Sequence, residues 1–260
     1  MVNKLKQRLR TGKACLNGWL AIPSGFSAEV MAQCGWDSVT VDLQHGVQDY
    51  LSMVQCFQAM QAHPVTPLVR VPVNEFGIIN KALDAGASGV ICPMVNNRQE
   101  AQSLVASCKY PPAGRRSNGP IRAAMYGAAS NYQKTANDEV MVIPMIETEE
   151  ALENLEAILD VPGIDAIYIG PSDLGFSLGL PPILDREESK ILKIFEHIVN
   201  ETTKRRIFAG LHTLSAAYSI RMIEMGFRFI SIGNDSLWMA RGASEAVQAV
   251  RGAAGELAEQ

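Results

Sequence analysis

The sequence predicts a (β/α)₈ barrel, on three observations. Eight short runs rich in apolar and β-branched residues alternate with longer segments of helical period. The alternation fills a chain of 260 residues, and eight βα units need about 250. No linker or shift of composition interrupts it, so residues 1–260 are expected to form one barrel domain. A doubly wound open sheet is the competing arrangement, but it usually has fewer strands and a topological break.

In chain order the strands are expected at 15–21, 38–43, 66–71, 89–93, 140–146, 166–169, 207–211 and 229–232. The helices that follow them are expected at about 26–34, 50–62, 75–84, 97–108, 148–159, 185–204, 214–225 and 236–250. Gly86, Gly163 and Gly226 suit the turns by which helices exit. Thr148 is placed to N-cap the helix after the fifth strand. Glu149 and Glu150 then fall in its first turn, where the helix dipole favours acids. The segment 187–206 ends in Lys204, Arg205 and Arg206, as a helix C-terminus prefers. Residues 109–139 break the rhythm. They are too many for an ordinary αβ loop, and a long insertion of this kind is expected to be a lid or an interface segment.

Composition narrows the function. Hydrophobic residues at 47% supply an ordinary globular core. A formal charge of −4 and only isolated basic pairs, Arg115-Arg116 and Arg205-Arg206, give no reason to expect a nucleic-acid partner. No apolar run approaches the roughly 18 residues that span a bilayer, so no membrane partner is expected. The N-terminus is basic but has no apolar signal-like region. Five cysteines without CxxC spacing indicate neither a disulfide framework nor a zinc cluster, and a reducing cytoplasm is the expected location.

In such a barrel, chemistry gathers where strands end. The second strand closes on Asp42-Leu43-Gln44-His45-Gly46 and the third on Arg70-Val71-Pro72. The fifth closes on Glu147, the sixth on Gly170-Pro171-Ser172-Asp173, the seventh on His212-Thr213 and the eighth on Gly233-Asn234-Asp235. Either Glu147 or Asp173 alone reads as a cap or loop acid. Two acids on adjacent strands at the same end suit a hard divalent cation such as Mg²⁺ or Mn²⁺ and leave several of its positions for substrate and water. Gly170 permits close approach of a ligand, and the turn after it offers free backbone N–H groups to a carboxylate. His45 is the candidate base, with His212 a second histidine that could face the mouth. Arg70, inside an apolar run, needs an anionic partner, which a substrate oxyanion or carboxylate would supply. None of the nine lysines falls at a strand's C-terminal end, which disfavours an imine mechanism.

The ordered set Val41-Asp42-Leu43-Gln44-His45-Gly46, Val69-Arg70-Val71-Pro72, Pro144-Met145-Ile146-Glu147-Thr148 and Gly170-Pro171-Ser172-Asp173-Leu174, with Ser177-Leu178-Gly179 after it, resembles the HpcH/HpaI aldolase family of metal-dependent pyruvate aldolases. The resemblance implies a phosphoenolpyruvate/pyruvate-type (β/α)₈ barrel whose last helix is exchanged between subunits, commonly in a homohexamer. It implies retro-aldol cleavage of a 4-hydroxy-2-oxoacid, of the 4-hydroxy-2-oxoheptanedioate or 2-dehydro-3-deoxyglucarate kind, to pyruvate and an aldehyde. By the same resemblance Glu147 and Asp173 hold Mg²⁺, Mn²⁺ or Co²⁺, and Arg70 stabilises the enolate oxygen. His45 moves the proton of the substrate hydroxyl, the backbone of Ser172 and Asp173 receives the carboxylate, and Asp84 corresponds to an acid that raises the basicity of the histidine. Asp84 ends a helix, at the face opposite the mouth, so that role would require a neighbouring subunit, and a plain helix-end role is the alternative. Met145, Gln44 and Arg116-Ser117-Asn118-Gly119 depart from the family pattern, and these departures bear on aldehyde specificity. Two other readings are an acyl-CoA lyase like the β subunit of citrate lyase and a non-catalytic oxoacid-binding barrel. The first lacks a basic tract for the CoA phosphates, and the acid, base and cation set argues against the second.

Overall fold

A computed structural model describes residues 2–126 and 132–258 of the chain. Eight parallel strands close into a barrel in sequence order, from β1 to β8, with β8 pairing back onto β1. The strands are β1 (Cys15–Leu20), β2 (Ser38–Asp42), β3 (Thr66–Arg70), β4 (Gly89–Cys92), β5 (Met141–Ile146), β6 (Ala166–Ile169), β7 (Phe208–Thr213) and β8 (Phe229–Ile232). All eight expected strands are present, each within a few residues of its expected bounds. β7 runs two residues further than expected, so His212 lies within the strand. Most strand positions are buried on both faces, as a parallel sheet with helices outside and packed side chains inside requires.

The helices around the barrel are α2 (Gly25–Ala32), α3 (Tyr50–Met60), α4 (Phe76–Asp84), α5 (Arg98–Cys108), α8 (Glu149–Glu153) with α9 (Leu155–Leu159), α11 (Ser189–Lys204) and α12 (Ala216–Met225). The starts of α2, α3, α4, α5, α8 and α12 are capped by side chains the sequence places there, and those of α9 and α11 are not. Asp49 and Ser52 form a capping box on α3. The Thr148 hydroxyl accepts the Ala151 N–H at the start of α8, with Glu149 and Glu150 in the first turn as expected. The single helix expected at 148–159 is broken at Asn154 into α8 and α9.

Two further helices were not marked by the sequence periodicity. α1 (Lys4–Arg10) lies across the N-terminal end of the barrel. Its Leu5 and Leu9 are fully buried in the interior cluster with Trp19, Leu68, Ile91, Met141, Ile143, Tyr168 and Phe229. Lys6 is buried beside them and pairs with Asp165 at 2.6 Å. α10 (Pro171–Ser177) starts at the Gly170 turn, with Pro171 at its first position, where the missing N–H costs nothing.

The insertion at 109–139 contains α6 (Ala123–Tyr126) and α7 (Tyr132–Glu139), with residues 127–131 outside the described residues. Its described part is tied to the N-terminal side of the barrel. Lys109 donates to the carbonyls of Asn137 and Val140, both at 2.7 Å. Arg116 is buried between the rings of Tyr110 and Tyr132 and bonds Asp84 at the end of α4 at 2.8 Å.

Among the described residues the last helix, α13 (Asp235–Ala258), is anchored at its start, where Asp235 accepts the Ala21 and Ile22 N–H groups. From residue 239 to 253 it is exposed throughout, Met239, Val247 and Val250 included. Among the described residues no helix is long and apolar enough to cross a membrane.

The α1 plug should belong to the cooperative core. Leu9→Ala is expected to lower unfolding free energy by about 2–5 kcal/mol, as for other fully buried leucines. Urea unfolding measures it, and a loss below about 0.5 kcal/mol, the range of surface substitutions, would place α1 outside that core.

Candidate active site

The barrel register explains how side chains distant in sequence meet at its C-terminal mouth. Asp42 stands opposite Arg70 in the β2–β3 ladder. The Arg70 guanidinium grips the Asp42 carboxylate with two bonds, Nε to Oδ1 at 2.8 Å and Nη2 to Oδ2 at 2.6 Å. Trp19 Nε1 donates to the same carboxylate at 3.2 Å, and its ring lies under the guanidinium at 5.0 Å. The anionic partner that Arg70 requires is therefore already in the protein, not left for the substrate. Neither bond uses Nη1. Burial pushes the Asp42 carboxyl up, but the Arg70 bond and charge and the Trp19 bond outweigh it and hold it below the usual carboxylate range.

Glu147, the residue after β5, meets the opposite circumstances. It is 3% exposed, and one oxygen, Oε1, accepts the Met94 N–H at 2.7 Å. Met94 adopts φ 55°, an uncommon conformation for a non-glycine residue, in presenting that N–H. Burial and the nearby Asp173 charge push the Glu147 carboxyl up to about 7, against the Met94 bond and the Arg70 charge. Gly170 closes in from β6. A Cβ there would stand 2.6 Å from Glu147 Oε2, so a larger residue would displace that oxygen. Asp173 follows in the first turn of α10, exposed, in a helix start that has no side-chain cap. Ser172 precedes it, half-buried.

His45 lies exposed in the loop after β2, its backbone N–H on Asp42 Oδ1 at 3.3 Å. His212 reaches the interior side of the same mouth. Its Nδ1 is 2.9 Å from the Tyr168 hydroxyl, and its ring meets Trp19 edge-on at 5.0 Å. Burial, helped by the Arg70 charge, pushes His212 down to about 4, so at neutral pH it is an uncharged ring and a weak base. Asp84 is not brought to this mouth by its own chain. It ends α4 at the opposite face, paired with Arg116.

The mouth thus gathers His45, Arg70, Glu147, Gly170, Ser172 and Asp173. The residues it adds to the expected set are Asp42, Trp19 and Tyr168. Asp42 was readable in principle, because consecutive parallel strands ending on an acid and an arginine invite a cross-strand pair. The two aromatics carry no such signal, since a Trp or Tyr within a strand reads as core. Among the described residues no group of three or more His, Cys, Asp or Glu side chains is placed to hold a metal ion. A cation here would take two carboxylates from the protein, and Glu147 fits one. It is buried, pushed toward neutrality, and bonded by no side chain among the described residues, the nearby Arg70 being engaged by Asp42.

Comparison with known proteins places the chain among relatives of similar length. Residues 18–241 match the family model described as HpcH/HpaI aldolase/citrate lyase. A protein named hydroxypyruvate/pyruvate aldolase, from Rhizorhabdus wittichii, is 36% identical over 96% of this chain and 99% of its own. A 4-hydroxy-2-oxo-heptane-1,7-dioate aldolase from Salmonella heidelberg is 34% identical over 97% of this chain and 96% of its own. The crystal structure of an HpcH/HpaI aldolase/citrate lyase family protein from Burkholderia cenocepacia superposes with a TM-score of 0.90, at 30% identity over 96% of this chain and 100% of that one.

The Glu147 carboxyl sets a sign for stability. Between its ordinary value of 4.5 and about 7 the unfolded chain releases the proton first, so the metal-free protein loses stability as pH rises through that window. The loss is about 3 kcal/mol for a shift of this size. Glu147→Gln should remove most of that slope and make the metal-free protein more stable than wild type at pH 8. Urea midpoints at pH 5 and pH 8 measure it, and a variant no more stable than wild type at pH 8 would refute the burial cost.

Proposed function

Since the chain belongs to the HpcH/HpaI aldolase/citrate lyase family, whose curated relatives here are carbon–carbon lyases, we propose that it is a divalent-metal-dependent pyruvate aldolase. The reaction assigned to it cleaves a 4-hydroxy-2-oxoacid to pyruvate and an aldehyde. The observation that carries this reading is the pair of acids on adjacent strands, Glu147 buried beside Gly170 and Asp173 opening α10.

Glu147 and Asp173 would hold the cation, Mg²⁺, Mn²⁺ or Co²⁺, all hard enough for carboxylate oxygen. When bound, it supplies Lewis-acid polarisation of the 2-oxo group. The chain's own residues do the rest. The N–H groups of Ser172 and Asp173, uncapped at the start of α10, receive the substrate carboxylate. His45 takes the proton of the 4-hydroxyl as the C3–C4 bond breaks and the aldehyde departs. The electron pair of that bond moves into the pyruvate enolate, whose oxygen Arg70 faces with a positive charge fixed by Asp42. A proton returned to C3 completes pyruvate. Asp84 would reach His45 only across a subunit boundary.

Assembly belongs to the same proposal. The exposed length of α13, with Met239, Val247 and Val250, and the outer residues Phe26 and Val30 of α2 are apolar surfaces on the flank where an eighth helix would pack. A second copy of this chain, exchanging α13, would cover both. Val247→Glu with Val250→Glu is expected to lower the mass seen by light scattering. An unchanged mass would remove α13 from the interface.

Catalysis is tested without knowledge of the aldehyde. Wild-type protein should exchange the pyruvate methyl protons for deuterium when Mn²⁺ or Mg²⁺ is present and stop when EDTA is added. Asp173→Ala should lose the metal-dependent exchange. Exchange that persists in EDTA, or in Asp173→Ala at the wild-type rate, would overturn the metal assignment.

A further inference from the structure

The face of the barrel opposite the mouth carries a concentration of positive charge that the proposed chemistry does not use. A recess of about 580 Å³ opens between the end of α1, the exit of α11 and the starts of β7 and β8. Lys6, Arg10, Arg206 and Arg228 line it, over a floor that includes Ile207 and Phe208. Its one acid, Asp165, is already taken by Lys6 at 2.6 Å and lies 4.0 Å from Lys109. The recess is therefore strongly cationic in a chain whose formal charge is −4.

Two of these cations have local explanations. Arg10 closes α1, where the helix dipole favours a positive charge. Arg228 Nη1 donates to the carbonyls of Ile223 and Phe227, both at 2.8 Å. Arg206 has none. It follows the α11 C-cap at φ 59°, a conformation that glycine adopts freely and arginine does not. After α4 and α12 the chain places Gly86 and Gly226 at the corresponding exits, at φ 113° and 123°. Its neighbour Arg205 is engaged by Asp160, Glu201 and Glu156. Among the described residues Arg206 makes no ion pair or side-chain hydrogen bond, and it is exposed at the recess. The dipole favours a positive charge at this exit but does not require a left-handed backbone, and with no protein partner the Arg206 guanidinium is left open to the recess.

We propose that this recess is a binding site for a small organic phosphate. The guanidinium groups of Arg10 and Arg206 take phosphate oxygens in the forked geometry that arginine favours. The apolar floor of Ile207 and Phe208 takes part of the carbon body. The site lies at the N-terminal face, away from Glu147 and Asp173, so it does not anchor the nucleotide of a thioester reacting at the mouth. A ligand there bridges α1 to the α11 exit and holds the plug against the barrel.

Calorimetric titration of the metal-free full-length protein with ADP and with inorganic pyrophosphate tests the site. One saturable ADP site per chain is expected, tighter than pyrophosphate and weakened by added salt. Arg206→Gly and Arg10→Ala should each weaken ADP by about tenfold or more, the loss of one charge-assisted bond. Arg206→Gly should at the same time raise the Tm of the ligand-free protein by about 2–4 °C, because glycine relieves the backbone, and abolish most of the Tm rise that ADP produces in wild type. These opposite signs separate a binding role from a structural one. Absence of ADP binding, or equal ADP affinity in wild type and Arg206→Gly, would overturn the site. Pyrophosphate binding as tightly as ADP would overturn the organic-phosphate assignment.

Discussion

Burial of the Glu147 carboxylate at the barrel rim is the constraint on which the rest of the mouth depends. An ion taken out of water costs several kcal/mol unless a partner offsets it. The chain provides only part of that offset, one backbone N–H from Met94. The neighbourhood is shaped to keep the charge accessible: Met94 holds an uncommon φ to aim its N–H, and Gly170 gives up a side chain so that Oε2 stays open. These are costs in stability, and a site that keeps them obtains something in return. A divalent cation of the kind proposed above would return it, because the charge that burial opposes is the charge a cation needs.

The second acid of the mouth shows why this arrangement is not simply a polar patch. Asp42 and Glu147 are both buried, yet one is held below the usual carboxylate range and the other is pushed up to about 7. The difference is Arg70, whose fork is engaged by Asp42 and shares only long-range charge with Glu147. Environments that drive like groups apart assign them different work. Asp42 fixes a cation, with Trp19 below the guanidinium and Tyr168 stacked against Trp19 at 5.6 Å. Glu147 has no such side-chain partner among the described residues. Uncharged His212, bonded to Tyr168, keeps a third charge out of the space between them.

The sequence made the barrel legible because each strand is an apolar run with a turn signal after it, and because period, count and length agree. The acids Glu147 and Asp173 were legible for the same reason: they interrupt apolar runs where an interruption is costly. What escaped had no local signal. α1 is seven residues with two buried leucines, too short for a helical period to stand out from a basic N-terminus. α10 hides behind a Gly-Pro turn that reads as loop until the first helical bonds are seen. The partner of Arg70 escaped for a different reason. A lone arginine in a strand advertises a missing anion, and although the strand ends offered Asp42, the β2–β3 register is what sets it opposite Arg70 in place of a substrate.

The two ends of the barrel also divide their labour in a way that follows from the strand direction. At the C-terminal end the strands and the turns after them bring Asp42, His45, Arg70, Glu147 and Asp173 to one rim, and the loops there are free to specialise. At the N-terminal end α1 and the described part of the 109–139 insertion tie elements together: Leu5 and Leu9 fill the interior, Lys6 reaches Asp165, and Arg116 joins α4 to α7 through Asp84 and Tyr132. Conventional barrel logic reserves that end for stability. Arg206 does not obey it. Glycine is the lower-cost residue for the backbone at a left-handed helix exit, as after α4 and α12, whereas Arg206 combines that backbone with a charge the dipole favours. A strained arginine there spends stability, and at the face where the chain otherwise accumulates it.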